Sequence, residues 1–400
     1  MNIIKKVYCR VFQFCFWIAY PLLPYREPQL VDNGLKDLSA VIKKENKHHP
    51  LVVSDQGVKK VGLLDKVTSV LEKGNIIYSV YSDVVANPTT ENVEKALLKY
   101  KEEGCDSIIA IGGGSSIDTA KALGARVANP KKQLSKMKGI LRVRKRIPLL
   151  IAIPTTAGTG SETTLASVIV DKETRHKYAI NDFPLIPRYA ILDPEMTRPL
   201  PPFLTSTTGM DALTHAVEAY IGKSNHRMTK IEAKIAVRLI IGNIERAYKD
   251  GNDMEARAAM LRASYLAGCS FTRSYVGYVH AIAHSLGGKY NIPHGFANAV
   301  ILPTILESYR PIVDKKLWKL AIAANLADEL TPVKKGADIF MEKIRELNKE
   351  FAIPETIPEI KEEDIYQLSK YADKEANPLY PVPKLMNAKE LAVFYNKLKG

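Results

Sequence analysis

The sequence predicts an α/β unit built on a parallel sheet, followed by an all-helical unit. From about residue 50 to residue 195, short β-branched runs alternate with segments of helical periodicity, as in doubly wound folds. After the proline cluster at 193–202 the strands stop, and almost everything up to residue 400 has helical periodicity. A chain of 400 residues is also too long for one compact core. We therefore expect an apolar extension over 1–30, an α/β domain over 31–200 and a helical domain over 201–400.

Four apolar runs have the length and composition of buried parallel strands. They are 51–54 (LVVS), 75–80 (NIIYSV), 107–111 (SIIAI) and 148–153 (PLLIAI). The segments 57–73 and 91–103 lie between them and repeat their apolar residues at helical spacing. We expect these two segments to form helices that cover the sheet.

Charge and cysteine content narrow the class of protein. The formal net charge is +14, but the lysines are scattered, and basic runs such as 142–146 (RVRKR) contain no interleaved aromatic residues. We interpret the basic residues as a solvated surface and expect no nucleic-acid partner. The four cysteines show no CxxC pair and no spacing typical of a disulfide staple or a zinc site, which favours a reducing compartment. We expect a cytoplasmic protein.

The N-terminal extension contains a strongly apolar segment, 7–25, which follows two lysines. Arg10 and Gln13 interrupt this run, and no small-residue cleavage site follows it, so the pattern favours neither a bilayer span nor a secretory signal. We expect a helix that packs on its own protein or on a dimer mate. An interfacial helix that touches a membrane is the alternative.

A glycine-rich turn, GGGSSIDTAK, indicates phosphate binding. Gly112, Gly113 and Gly114 follow a predicted strand and precede a predicted helix, so backbone N–H groups can close on a phosphate. Ser115 lies at the positive end of that helix, and Asp118 lies in its first turn. The later glycine of the usual dinucleotide fingerprint is missing, and a tight strand-to-helix turn would explain the same residues.

Two further strand ends offer cofactor contacts. Asp55 lies just past the first strand, where its carboxylate can accept hydrogen bonds from an adenosine ribose. The same carboxylate would repel a 2′-phosphate, which favours NAD over NADP. The segment PTTAGTGSE supplies hydroxyl groups from Thr155, Thr156 and Thr159. A hydroxyl-rich loop with local turns is the alternative interpretation of this segment.

Two short segments of the helical half carry a candidate metal site. Asp211 and His215 stand four residues apart in GMDALTHAVEAY, so both project from one helix face. The segment GYVHAIAHSLGGKYNIPHG adds His280, His284 and His294, the last in an expected loop after Pro293. One carboxylate and up to three imidazoles suit Fe²⁺, Zn²⁺ or Mn²⁺. A lone histidine on an apolar helix is more often a core residue, and spacing alone does not decide which of the last two histidines coordinates.

Taken in chain order, these motifs resemble the iron-dependent (group III) alcohol dehydrogenase family over nearly the whole chain from about residue 30. The motifs are NPT (87–89), GGGSSIDTAK, PTTAGTGSE, DP (193–194), GMDALTHAVEAY and HAIAHSLGGKYNIPHG. The resemblance implies the dehydroquinate synthase-like fold, with an NAD(P)-binding α/β domain and a helical metal-binding domain, and it implies a homodimer. It further implies Fe²⁺, with Zn²⁺ as the alternative, at Asp211, His215, His280 and His294. His284 is then the histidine beside the substrate, a candidate catalytic proton relay.

The resemblance also implies cofactor contacts. In addition to Gly112 of the glycine-rich turn, they are Asp55, Asn87, Gly113, Gly114, Ser115, Asp118, Thr155, Thr156, Thr159 and Lys177. Phe271 and Tyr275, on the helix that leads to His280, are our candidates for walls of the substrate pocket. The chain departs from the family pattern at Ala166 and Arg273, where relatives often carry asparagine.

We therefore expect an NAD-dependent, iron-dependent alcohol dehydrogenase that interconverts primary alcohols and aldehydes by hydride transfer, with the metal as Lewis acid. Small alcohols and aldehydes are the expected substrates. Two alternatives remain at this point. One is a dehydroquinate-synthase-type lyase, which would use NAD only transiently and accumulate no net NADH. The other is a membrane-surface binding protein with a vestigial catalytic domain.

Overall fold

Two units make up the computed structural model, which describes residues 1–173 and 177–400. One unit consists of residues 24–200, and the other combines residues 1–23 with residues 201–400. The first contains a parallel sheet between helices, and the second is helical. This confirms the predicted fold class. The apolar extension belongs to the helical unit.

Among the described residues, all strands lie in the α/β unit. They are β1 (Gln29–Leu30), β2 (Pro50–Asp55), β3 (Ser79–Val84), β4 (Ser107–Gly112), β5 (Gly139–Ile140), β6 (Leu149–Pro154), β7 (Ala166–Val170), β8 (Lys177–Asn181) and β9 (Tyr189–Ala190). Six of them form a sheet in the order β1-β9-β6-β4-β2-β3, in which every pairing is parallel. The other three form a small sheet in the order β5-β8-β7, with β7 antiparallel to β8.

The chain begins with α1 (Ile3–Ala19), which belongs to the helical unit. The helices of the α/β unit are α2 (Leu38–Lys44), α3 (Gln56–Lys60), α4 (Leu63–Lys73), α5 (Thr90–Glu102) and α6 (Gly114–Ala128). Alternate strand residues enter two hydrophobic clusters, Val52 and Ile109 in one and Leu51 and Ile108 in the other. Both faces of the sheet are therefore covered, as a parallel sheet requires.

Two expected element boundaries are wrong. The strand expected at 75–80 begins at Ser79, because the chain first leaves α4 through a left-handed turn. Asn75 has φ +53°, and the amides of Asn75 and Ile76 still donate to carbonyls in the last turn of α4. The single helix expected over 57–73 is split into α3 and α4 at Gly62, whose φ of +74° interrupts the helix.

The helical unit continues from residue 201. Its remaining helices are α7 (Pro202–Ile221), α8 (Arg227–Lys249), α9 (Met254–Ser274), α10 (Tyr278–Tyr290), α11 (His294–Tyr309), α12 (Asp314–Ala323), α13 (Val333–Glu350), α14 (Glu362–Ala376) and α15 (Ala388–Leu398). Helix α7 is buried along most of its length and contacts α8, α9 and α11, so it is the central helix of the unit. His294 is the first residue of α11, not part of a loop, because Pro293 is the N-cap residue of that helix. Over residues 1–173 and 177–400, the helices lack the combination of length and apolar character that a bilayer crossing needs.

Candidate active site

Four predicted metal ligands from three helices lie together inside the helical unit. Asp211 and His215 come from α7, His280 from α10 and His294 from the start of α11, and one ligand atom from each lies within 4.8 Å of the others. The Asp211 Oδ1 atom is 3.7 Å from His280 Nε2 and 3.5 Å from His294 Nε2. A mixed nitrogen and oxygen donor set of this kind suits Fe²⁺ or Zn²⁺.

His280 shows that the residues fit a cation. Its Nε2 atom is buried and has no hydrogen-bond partner among the residues that the structure describes. Burial also holds the pKa of His280 well below its usual range, with smaller contributions from the neighbouring histidines. A neutral imidazole with an unused buried lone pair is what a metal ligand requires, whereas a core histidine would be paired.

Glu218, which the sequence analysis missed, orients His280. Its carboxylate accepts hydrogen bonds from Gly277 N at 2.8 Å and Val279 N at 2.9 Å, and it lies 2.7 Å from His280 Nδ1. Three donors around one carboxylate place the imidazole proton on Nδ1 and leave Nε2 for the metal. Burial raises the pKa of Glu218 to about 7. The signal was available, since Glu218 follows Asp211 by seven positions on the same helix.

Asn298, also missed, contacts two of the other three ligands. Its side-chain amide donates to Asp211 Oδ1 at 2.7 Å and lies 3.1 Å from His294 Nε2. Helices α7 and α11 can approach this closely because residue 295, on α11, is glycine: a Cβ there would lie 2.4 Å from Thr207 O on α7. Asn298 follows His294 by one helical turn, so the spacing again contained the information.

The four ligands are accessible from the side of His294. Asp211, His215 and His280 are almost fully buried, whereas the His294 side chain is 33% exposed. On that side the His284 ring stacks on the His294 ring, with centroids 5.0 Å apart and an interplanar angle of 16°. A catalytic metal site needs such an accessible position for its substrate.

His284 is the end of a hydrogen-bonded chain. Its Nδ1 atom lies 2.6 Å from Glu375 Oε1 on α14, and Tyr380 donates its hydroxyl proton to the same oxygen at 2.8 Å. Because an ionised carboxylate only accepts, this contact places the imidazole proton on Nδ1 and leaves Nε2 as an acceptor. Nothing in the sequence indicated either partner, since both are about 90 residues away from His284.

The two aromatic candidates for pocket walls take different positions. Phe271 stacks on His215, with centroids 4.2 Å apart and an angle of 14°. Tyr275 follows α9 with φ +60° and packs against Tyr380, with centroids 6.2 Å apart. Phe271 therefore lies beside a metal ligand, and Tyr275 lies beside the tyrosine that is hydrogen-bonded to Glu375. Arg273, between them, pairs with the buried Glu232.

The predicted cofactor segments meet at one edge of the six-stranded sheet. Strands β6, β4 and β2 are neighbours, so the residues after their carboxyl ends are brought together. The amide of Thr155 donates to Gly112 O at 3.0 Å, and the Thr159 side chain lies 3.1 Å from where a Cβ on Gly114 would stand. Asp55 accepts a hydrogen bond from Ser116 at 3.0 Å, at the start of α6.

Other predicted cofactor residues lie at or near the glycine-rich turn between β4 and α6. Gly113 is the N-cap residue of α6, Ser115 lies in its first turn, and a Cβ on Gly113 would meet the Thr156 side chain at 3.5 Å. Lys177 donates to the side chain of Asn87 at 2.7 Å. Asp118 is differently employed: one oxygen accepts from Ser161 and the other from the amide of Val168. Through these bonds Asp118 connects α6 to Ser161 and to strand β7.

Lys121, also on α6, holds the segment 161–166 by hydrogen bonds. It is fully buried, and its ammonium donates to the backbone carbonyls of Ser161, Thr164 and Ala166 at 2.6–2.8 Å. Burial lowers the pKa of Lys121 to about 8 and raises that of the neighbouring Glu162 to about 7. Ala166, one of the two departures from the family pattern, takes part through its backbone oxygen.

Comparison with known proteins gives consistent matches along the chain. Residues 30–194 match the family model described as "Iron-containing alcohol dehydrogenase", and residues 205–398 match the model of the C-terminal region of Fe-containing alcohol dehydrogenases. Alcohol dehydrogenase 4 of Saccharomyces cerevisiae is 36% identical over 349 residues, which cover 86% of this chain and 90% of that protein. The NAD-dependent methanol dehydrogenase of Bacillus methanolicus is 35% identical over 343 residues, covering 85% and 88%. A crystal structure of a 1,3-propanediol oxidoreductase superposes with a TM-score of 0.89 at 33% identity, covering 94% of this chain and 99% of that one.

Proposed function

Because the chain belongs to the iron-containing alcohol dehydrogenase family and is an alcohol/aldehyde oxidoreductase, we propose that it uses NAD and Fe²⁺ to interconvert small primary alcohols and aldehydes. Asp211, His215, His280 and His294 would hold the cation. The observation that carries this proposal is the buried His280 Nε2 atom, which faces Asp211 and lacks any other partner among the described residues. When bound, Fe²⁺ supplies Lewis acidity towards the alcohol oxygen, and NAD⁺ accepts the hydride.

The residues around the four ligands keep them in place. Glu218 fixes the ring of His280, and Asn298 restrains the carboxylate of Asp211. Both contacts are buried, so water does not compete for them. Hydrogen-bonded partners of this kind set ligand orientation and raise metal affinity.

His284 would accept the proton that an alcohol releases during oxidation. Its side chain is 36% exposed and stands on the open side of the cluster, next to His294. Glu375 fixes the ring and its tautomer, so that Nε2 is the accepting atom, and Tyr380 orients Glu375. The proton can pass to solvent because Glu375 is itself 34% exposed.

Two features support NAD as the cofactor. The glycine-rich turn between β4 and α6 presents backbone N–H groups at a helix N-terminus, which suits a pyrophosphate. Asp55 stands beside this turn, bonded to Ser116, where a carboxylate accepts from ribose hydroxyls and disfavours a 2′-phosphate. We therefore propose NAD over NADP.

The test is alcohol oxidation by the intact chain. Protein purified without oxygen and reconstituted with Fe²⁺ is mixed with NAD⁺ and a panel of short alcohols, and NADH absorbance is followed. We expect NADH to accumulate only with metal, to be lost in His280→Ala, and to be retained in the matched control His48→Ala, whose side chain is exposed in the other unit. The proposal would be wrong if protein with bound Fe²⁺ and NAD turned over no alcohol and no aldehyde.

A further inference from the structure

One face of helix α1 is docked on the helical unit. Its buried residues are Cys9 and Gln13. Gln13 and Arg10 both donate side-chain hydrogen bonds to backbone carbonyls of the segment 378–383, at distances of 2.8–3.0 Å. Phe16 packs against the same unit, with its ring centroid 5.2 Å from that of Tyr275, so polar hydrogen bonds and an aromatic contact together hold this face of the helix.

The opposite face of α1 is apolar and exposed. Ile4, Val7, Val11, Phe14 and Ile18 are each between 53% and 77% exposed. Ile4, Val11 and Ile18 are spaced by seven, so they form one line along the helix. A contiguous apolar face of this kind on one helix marks an interaction surface, unlike single exposed apolar residues.

The charged side chains of α1 itself are all basic. Helix α1 contains Lys5, Lys6 and Arg10 and no carboxylate. The nearby carboxylates are already engaged, Asp373 with Lys5 at 3.0 Å and Glu390 with the N-terminal amine at 2.8 Å. Lys6 and the exposed Lys384 line one surface groove together with Glu390, whose carboxylate the N-terminal amine already engages.

We propose that α1 is a membrane-surface helix that lays its outward apolar face into the interfacial layer of a bilayer containing anionic lipids. Exposed apolar and aromatic residues on one face, with lysines at the helix and no acid, are the features of such helices. Anionic headgroups complement Lys6 and Lys384. A second copy of the chain is a poorer occupant, because each copy has a formal net charge of +14 and carries the same lysines at this face.

Vesicle binding of the full chain tests this. The protein is sedimented with vesicles of phosphatidylcholine alone or of phosphatidylcholine mixed with phosphatidylglycerol. Trp17 fluorescence is followed in parallel in the variant Trp318→Phe, because the chain has two tryptophans. We expect binding to the anionic vesicles, a blue shift of Trp17 emission, and weaker binding at high salt. Ile4→Glu/Val11→Glu should reduce partitioning about tenfold or more, because two apolar side chains no longer enter the interfacial layer. The control Ile77→Glu/Leu98→Glu makes the same charge change at exposed sites of the α/β unit and should bind like the parent.

The results of this experiment distinguish a membrane surface from a second copy of the chain as the partner of the exposed face of α1. Absence of binding to anionic vesicles, or equal binding by the α1 variant and its control, would overturn the proposal. A concentration-dependent oligomer that the α1 variant abolishes, without vesicle binding, would assign the face to a second copy. Alcohol oxidation should be unchanged in both double variants, so failure of the proposed enzymatic function would be visible separately.

Discussion

Replacement of Glu218 by glutamine tests whether the metal cluster depends on its buried carboxylate. The glutamine side chain has nearly the same volume, but one of its two terminal groups is an NH₂ donor. Glu218 receives three donors, Gly277 N, Val279 N and His280 Nδ1, at 2.7–2.9 Å. An amide oxygen can satisfy the donors on one side only, so at least one donor would face another donor.

The expected magnitude follows from the lost contact. Loss of a hydrogen bond to a charged group costs about 1.5–3 kcal/mol. Loss of a partner that orients a metal ligand lowers metal affinity about 10- to 100-fold, which corresponds to about 1.4–2.8 kcal/mol. The two estimates agree, so we expect the Kd for Fe²⁺ to rise by about one to two orders of magnitude in Glu218→Gln.

The assay is a competition titration of metal-free protein with Fe²⁺ and a chelator, without oxygen. Activity at saturating Fe²⁺ should recover much of the parent value, since the four ligands are intact. Glu232→Gln is the matched control, because Glu232 is a buried glutamate of the same unit that pairs with Arg273. A folded Glu218→Gln protein with a Kd within about twofold of the parent would refute the reasoning.

Three further substitutions extend the test. Gly277→Ala should also weaken metal binding, because a Cβ there would lie 2.5 Å from Glu218 Oε1. Gly242→Ala is the control and should bind metal like the parent, because nothing lies within 4 Å of its Cβ. Equal metal titrations of the two variants would contradict this prediction. Glu375→Gln should lower kcat for alcohol oxidation about tenfold or more with little change in KM, because it disturbs the His284 ring that accepts the proton. Glu363→Gln is the control, since Glu363 is exposed on the same helix. An unchanged kcat in Glu375→Gln would exclude a role of Glu375 in orienting His284. Burial raises the pKa of Glu162 to about 7 from 4.5, so its contribution to folding is fully present below about pH 4.5 and is lost as the pH rises through 7. The destabilisation of Glu162→Gln, measured by chemical unfolding, should therefore be larger at pH 5 than at pH 8, by an amount on the order of 2–3 kcal/mol; a difference that does not change with pH would be inconsistent with a raised pKa.

The sequence predicted the fold class because each half has a strong pattern. Buried parallel strands appear as short β-branched runs between helical segments, and strands β2, β4 and β6 were located within one or two residues. The start of β3 was missed because Ile76 and Ile77 extend the apolar run, although the left-handed Asn75 places them in the connection. Backbone conformation of a single residue is not visible in a hydrophobic pattern.

The candidate site was predictable where spacing along one helix places residues together. Asp211 and His215 are separated by one turn of α7, and the same logic would have found Glu218 and Asn298. Glu375 could not be found in this way, because its contact with His284 depends on how α14 packs against α10. The assigned roles of the site residues, the homodimer and the cytoplasmic location stay predictions.

The most direct measurement is an anomalous difference map, recorded at the iron absorption edge, from crystals grown with Fe²⁺ and NAD⁺. We predict one strong peak within bonding distance of Asp211, His215, His280 and His294, with the dinucleotide pyrophosphate at the turn formed by Gly112, Gly113 and Gly114. A peak bound by other residues, or no peak in protein that oxidises alcohols, would contradict it.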